Sequence, residues 1–316
     1  SSGADFYLLA NSSATTTLPI ITFTDLIANT TYYARVKAVN SAKTNTHFIL
    51  LGSTVTRAGP ISAMAFTNLD TTQLQANWTL GDNPLSTLFQ AELDDDAAFG
   101  SINRASVTAV TNALFSGLFF NTTYYARVQT INIAAERSDF VSLGSTPTLA
   151  FPPVRISTTL AAFPSVYISS LPAIWSPNSN PPGTAFIAEI SSYPGFSPLA
   201  ASSATEVSVA TFTNLAPNTT YYVQVKARNH SGFDTLYVYL GSTVTMASPV
   251  EAMPFSSVST TAIAGNWTQG SNPPGTKFQA ELAAHPSFTS FIQTSVTLKA
   301  TAFFAGLSVN TTYYIR

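Results

Sequence analysis

Apolar and polar residues alternate along this chain with a period of two. In TTQLQANWTL, Leu74, Ala76 and Trp78 alternate with Gln73, Gln75 and Asn77. In LFQAEL, Phe89, Ala91 and Leu93 alternate with Gln90 and Glu92. In TYYARVQTI, Tyr124, Ala126, Val128 and Thr130 alternate with Tyr125, Arg127, Gln129 and Ile131. Such alternation turns one side of an extended strand to a core and the other to solvent. The breaks carry turn chemistry, as in GDNP, FSGL, NHSG and SPNSNPPG, where Gly, Pro, Asn and Asp favour reversals. No helical stripe interrupts the pattern. About seven short strands at this spacing predict a two-sheet antiparallel β-sandwich.

The whole pattern recurs. NTTYYARV begins at Asn29 and again at Asn121, NTTYYVQV at Asn218 and NTTYYIR at Asn310, at intervals of 92, 97 and 92 residues. Trp78, Trp175 and Trp267 keep the same beat. NPLSTLFQAEL, NPPGTAFIAEI and NPPGTKFQAEL, at Asn83, Asn180 and Asn272, each follow a Trp by five residues. LGSTVT, LGSTPT and LGSTVT, at Leu51, Leu143 and Leu240, each follow the NTTYY phrase by 22. A period near 95 residues is the size of an independent domain rather than of a solenoid repeat. The 316 residues therefore read as an all-β chain of tandem seven-stranded antiparallel β-sandwiches, beads on a string. Residues 1–57 are the C-terminal part of one domain, 58–148 and 149–246 are complete domains, and 247–316 are the N-terminal part of a domain lacking its last strand. GADFYLLA at Gly3 aligns with GTAFIAEI at Gly183, so the first copy starts at the B–C loop. That register predicts a window cut from a longer array. The alternative is that incomplete end domains complete each other between subunits by strand addition. Linkers such as RAGP (57–60) and MASP (246–249) are short and Pro-bearing, which predicts a semi-rigid string.

GLFFNTTYYARVQTIN (117–132) and NLAPNTTYYVQVKARN (214–229) resemble the E–F corner and F strand of fibronectin type III domains, an immunoglobulin-like sandwich. In that family a Leu precedes a turn, a Thr follows, and a Tyr two residues later closes a tyrosine corner. Leu118, Thr122 and Tyr124 match, as do Leu26, Thr30 and Tyr32; Leu215, Thr219 and Tyr221; and Leu307, Thr311 and Tyr313. Trp78, Trp175 and Trp267 resemble the family's buried strand B tryptophan. The resemblance implies that Tyr32, Tyr124, Tyr221 and Tyr313 point inward with the hydroxyl on the turn's backbone. It also implies that Tyr33, Tyr125, Tyr222 and Tyr314 face outward, where they form a candidate self-association surface. The third copy departs from the pattern: AAFPSVYISSLPAIW carries Pro164 and Pro172 near strand B, which predicts an irregular or bulged strand.

Composition narrows the function. Charged residues are 9% of the chain, against about 25% in ordinary soluble proteins. With 13 basic and 15 acidic residues, no field exists to attract nucleic acid or anionic lipid. A weakly charged Ser/Thr/Asn surface suits the cell exterior and does not repel copies of itself. The chain has no Cys, which removes disulfide and thiolate chemistry. No apolar stretch approaches the roughly 20 residues a membrane helix needs. The start, SSGADFYLLA, lacks the basic region and cleavage pattern of a signal peptide.

Candidate chemistry is sparse. Asn29, Asn121, Asn218, Asn310, Asn11 and Asn229 begin N-x-S/T tripeptides and are possible glycosylation sites. The NTT asparagines have a second explanation, since Asn tolerates the left-handed backbone of a tight turn. Asn77 and Asn266 also qualify but fall on a strand. His47, His230 and His285 stand apart, without partners at metal-ligand spacing. Asp94–Asp96 read as a solvated acidic turn. Glu92, Glu189 and Glu281 recur on strand C, facing strand F, where Arg127, Lys226 and Arg316 respectively are their expected cross-strand partners. No catalytic residue, metal site or cofactor motif is predicted. The expectation is a non-enzymatic extracellular or cell-surface structural protein, part of a filament, sheath or stalk, whose partners are neighbouring copies of itself. The alternative is an adhesin or a polysaccharide-binding accessory module.

Overall fold

The computed structural model describes residues 11–156 and 162–316; the GADFYLLA segment lies outside them. The chain divides into two compact units, residues 1–151 with 229–233, and residues 152–228 with 234–316.

In the first unit, β1 (Thr31–Val36) and β2 (Ile49–Val55) form an antiparallel pair. Seven further strands follow: β3 (Ala63–Thr67), β4 (Gln73–Trp78), β5 (Leu88–Asp94), β6 (Arg104–Thr108), β7 (Asn112–Ser116), β8 (Thr123–Ile131) and β9 (Val141–Pro147). They build two antiparallel sheets, ordered β3-β4-β7 and β6-β5-β8-β9, which correspond to strands A-B-E and C′-C-F-G of a seven-stranded sandwich. The period-two pattern decides what lies between them. Leu74, Ala76 and Trp78 of β4 meet Phe89, Ala91 and Leu93 of β5 and Tyr124, Ala126 and Val128 of β8 in one buried cluster. The Trp78 and Phe89 ring centroids are 5.6 Å apart.

In the second unit, β10 (Leu171–Ile174) pairs with β13 (Val209–Phe212). β11 (Ala185–Ser191), β12 (Ala201–Thr205), β14 (Thr220–Arg228) and β15 (Val238–Val244) form a sheet ordered β12-β11-β14-β15. The expected irregularity of the third copy is present. β10 carries Pro172, which has no N–H to donate, on the edge of a two-stranded sheet. In the third copy, Val154 forms an isolated bridge to Ser176 just before the position that β3 occupies in the second copy. The fourth copy contributes β16 (Ala252–Val258), β17 (Ala262–Trp267), β18 (Phe278–Ala283), β19 (Gln293–Thr297), β20 (Thr301–Ala305) and β21 (Tyr314–Ile315). Its sheets are ordered β16-β17-β20 and β19-β18-β21.

The LGST phrase has a structural job. Opposite strand F the register slips by one residue in β2, β9 and β15, and the following Gly52, Gly144 and Gly241 take φ of 110°, 90° and 135°. Such a bulge needs a glycine. It aims Leu143 and Leu240 into the cores of their copies, where they are buried.

Candidate functional site: corner, outer face and repeat junction

The NTTYY phrase forms the same corner four times. The Tyr32, Tyr124, Tyr221 and Tyr313 hydroxyls accept from the backbone N–H of Ile27, Phe119, Ala216 and Ser308, at 2.9, 2.9, 3.0 and 2.9 Å. Tyr124 and Tyr221 are buried, while Tyr32 and Tyr313 are half-buried. Asn29, Asn121, Asn218 and Asn310 all have positive φ, from 43° to 53°, the conformation Asn tolerates best after Gly. The last Thr of LGSTVT closes the turn from the other side. Thr56, Thr148 and Thr245 accept from the N–H of Thr30, Thr122 and Thr219 and donate to the carbonyls of Ile27, Phe119 and Ala216. The recurrence of that Thr, always 27 residues after the Asn, was the signal that could have identified it.

Burial raises the Tyr124 phenol pKa, against the opposing pull of the Phe119 N–H. The folded form therefore holds its proton longer than the unfolded chain. Stability from this group is complete below the ordinary phenol range near pH ~10 and declines as the pH rises past it. Tyr124→Phe leaves the Phe119 N–H without its acceptor and should lower the stability of the second copy by about 1–2 kcal/mol. A denaturant midpoint that does not move would show that the corner contributes nothing to stability.

On the outer face of strands C and F, Glu92 and Arg127 stand directly opposite one another. Arg127 Nη2 lies 2.7 Å from Glu92 Oε2, and its guanidinium sits 4.1 Å from the ring centroids of both Phe99 and Phe140. Arg316 repeats this arrangement, 2.7 Å from Glu281 and 4.7 Å from the Phe288 centroid. Phe99 and Phe288 have φ of 53° and 48°, a strained setting for a bulky residue, and it turns their rings over the cation.

The third copy corrects the expectation that Lys226 pairs with Glu189. Register places Gln224 opposite Glu189 and Lys226 opposite Ile187. Glu189 instead accepts from Gln224 Nε2 at 2.8 Å and from the Tyr237 hydroxyl at 2.6 Å. Lys226 reaches Asp234 at 2.8 Å, and Arg228 meets the same carboxylate at 2.6 Å. The Arg228 hydrogen bond, followed by that of Lys226, holds the Asp234 carboxyl well below the usual carboxylate range. The group remains partly solvated, so the pairing is worth little in stability. Of the outer tyrosines, Tyr33, Tyr125 and Tyr222 are half-buried and only Tyr314 is exposed.

The junction between copies is where the recurring phrases converge. Within the first unit, Asn29 is 3% exposed. Its Nδ2 donates to Thr87 Oγ1 at 2.8 Å and its Oδ1 accepts from Ile133 N at 2.7 Å. Both partners belong to the second copy. Asn83 grips the linker: its Oδ1 accepts from Gly59 N at 2.6 Å and its Nδ2 donates to Gly59 O at 3.1 Å. Within the second unit the same atoms recur. Asn218 Nδ2 donates to Thr276 Oγ1 at 2.9 Å, and Asn272 accepts from Ser248 N at 2.7 Å and donates to Ser248 O at 2.9 Å. The NPxxT phrase is thus the receiving half of the junction, a role its recurrence marked but its composition did not reveal. Beside the first linker, Arg57, Pro60, Asn132, Glu136, Arg137 and Asp139 line a cleft of about 720 Å³, with charges of both signs.

The acceptor tripeptides consequently differ in access. Asn29, Asn121 and Asn229 are buried, so the NTT turns of the first two copies do not present open acceptors. Asn121 Oδ1 accepts from His230 N at 3.0 Å. Asn218 is half-buried, whereas Asn11 and Asn310 are exposed. Asn77 and Asn266 donate to the Ala65 and Pro254 carbonyls of the neighbouring bulged strand. Asp94 is buried at the end of β5 rather than solvated. His47, His230 and His285 are exposed. Among the described residues, no three His, Asp or Glu side chains are grouped to hold a metal ion. No described helix is long and apolar enough to cross a membrane.

No protein-family model matches the chain, and no curated protein matches it. Among solved structures, it is similar to a two-domain fibronectin type III segment of chicken tenascin. The identity is 12%, covering 58% of this chain and 99% of that one, with a TM-score of 0.39. It is also similar to the FN1–FN3 domains of chicken CNTN1, at 16% identity over 81% of this chain and 91% of that one, with a TM-score of 0.26. The A-B-E and C′-C-F-G sheets, the buried strand B tryptophans and the tyrosine corners make the copies fibronectin type III-like β-sandwiches in tandem.

Proposed function

We propose that the chain is a segment of a non-enzymatic, extracellular tandem-repeat array that serves as a filament, sheath or surface stalk. The observation that carries this reading is the junction. The same Asn, Thr and linker-gripping Asn join the first copy to the second and the third to the fourth. Selection for a repeated joint suits a protein whose output is length and stiffness. The low charge supports lateral contact between copies. So do exposed apolar side chains along the F–G segments, including Phe48, Leu50 and Leu236. Electron microscopy of native material from the source tests this. Filaments or strands beaded at one domain per period are expected; isolated compact particles would overturn the reading.

A second reading, polysaccharide binding, is favoured by one observation. Tyr237, just before β15, and Tyr239 within it are 37% and 47% exposed, and aromatic side chains with a polar tip suit a partly wet binding surface. All three tryptophans are buried and unavailable for that purpose. Retention of the chain on immobilised matrix polysaccharide, lost in Tyr239→Ala, would favour this reading over the first.

A further inference from the structure

We infer that the asparagine of the NTT turn is an interdomain clasp, and that its N-x-T tripeptide serves the joint rather than a glycan. The inference rests on the tandem-array reading and assigns the residues that make the joint stiff.

Asn29 uses both ends of its amide on the second copy. The donor goes to a hydroxyl of the B–C loop and the acceptor takes an amide of the F–G loop. The receiving groups are themselves held. Asn132 Oδ1 accepts from Ala134 N at 3.0 Å and from Glu136 N at 2.8 Å, shaping the loop that presents Ile133. Thr276 Oγ1, the counterpart of Thr87, donates to Pro273 O at 2.7 Å, which leaves its lone pair for Asn218. Asn29 and Asn218 share the same positive φ, 46°, so the turn holds both side chains in the same backbone setting. In both units the Asn and its Thr are separated by 58 residues, so the clasp is a property of the repeat. Asn29 N also donates to Arg57 O and Asn218 N to Met246 O, each at 3.0 Å, which holds each Asn to the last residue of its own copy, where the linker begins.

A glycan on Nδ2 of Asn29 would replace an amide proton and need open space beside it, and that side chain is buried. Clasp and glycan are therefore mutually exclusive at this position. Ser and Thr would be poor substitutes for the Asn, because neither offers a donor and an acceptor on opposite ends of one planar group.

The test uses the full chain and reads hydrogen exchange at the Ile133 amide. With Asn29→Ala that proton loses its acceptor, and its exchange should accelerate at least about tenfold while amides in β4 and β8 stay protected. Asn29→Asp keeps an oxygen for Ile133 but loses the donor to Thr87, so Ile133 should stay protected. Thr87→Val should weaken the joint in the native chain but add little in Asn29→Asp, where their shared hydrogen bond is already gone. Glycopeptide mapping of the folded chain from a glycosylating host should find Asn29 unmodified and Asn310 accessible. Unchanged exchange at Ile133 in Asn29→Ala, or a folded fraction glycosylated at Asn29, would overturn the clasp. Either result would leave the array reading standing, because that depends on the form of the native material.

Discussion

Trp78→Ala is expected to unfold the second copy at temperatures where the native chain is intact. Trp78 is 1% exposed and fills the space between β4 and β5, against Phe89. Removing a buried Trp side chain costs about 3–5 kcal/mol in lost transfer energy and cavity formation. A domain of this size has a total stability of only about 5–15 kcal/mol. The expected result is a separate low-temperature transition in calorimetry, with Trp175 fluorescence still reporting a folded third copy. Trp78→Phe sharpens the point. The indole N–H of Trp78 has no hydrogen-bond partner, nor do those of Trp175 and Trp267. Phenylalanine therefore breaks no hydrogen bond and should cost far less than alanine. If Phe and Ala were equally damaging, volume would not be what Trp78 supplies.

Gly81→Ala should be nearly as harmful for a different reason. Gly81 has φ of +61°, and a Cβ there would lie 2.1 Å from the carbonyl oxygen of Pro60 in the linker. That is a backbone atom, which cannot swing aside as a long side chain can. Gly270 meets Pro249 in the same way, at 2.6 Å. The substitution must push the linker off the turn that follows strand B, and with it the grip of Asn83 on Gly59. A loss of about 2–4 kcal/mol is expected, combining left-handed strain with the clash. Gly144→Ala separates the two contributions. Gly144 has φ of +90° with nothing within 4 Å of the added carbon, so it should suffer the strain alone, about 1 kcal/mol. The two midpoints, measured by urea denaturation in the full chain, should differ clearly. Equal effects would mean that the Pro60 contact is not close in solution.

Much of the fold was legible in the sequence because it depends on local periodicity. Alternation at Leu74–Trp78 and Phe89–Leu93 assigns each side chain to a face, and the core follows from it. The corner was legible too, because Tyr124 and the backbone N–H it binds are only five residues apart. The exposed histidines and the irregular third copy also followed from composition and from the place of Pro172.

Pairing across the sheet was less accessible. Lys226 and Glu189 are of opposite charge and on facing strands, yet a two-residue offset in register sends Lys226 to Asp234. Register depends on the whole strand pair and cannot be read from charge alone.

The sequence by itself determined the repeat, the strands and the inward face of each. These are set by periods of two residues within a strand and by turn residues between strands. Only the tertiary structure decided what Asn29, Thr87 and Asn83 do. Asn29 and Thr87 lie 58 residues apart in different copies, and Asn83 binds a linker 24 residues upstream. A hydrogen bond across such a distance exists only once two domains are folded and joined. Seen as a tripeptide, Asn29-Thr30-Thr31 is an accessible acceptor; in the joint it is a buried amide with both ends engaged.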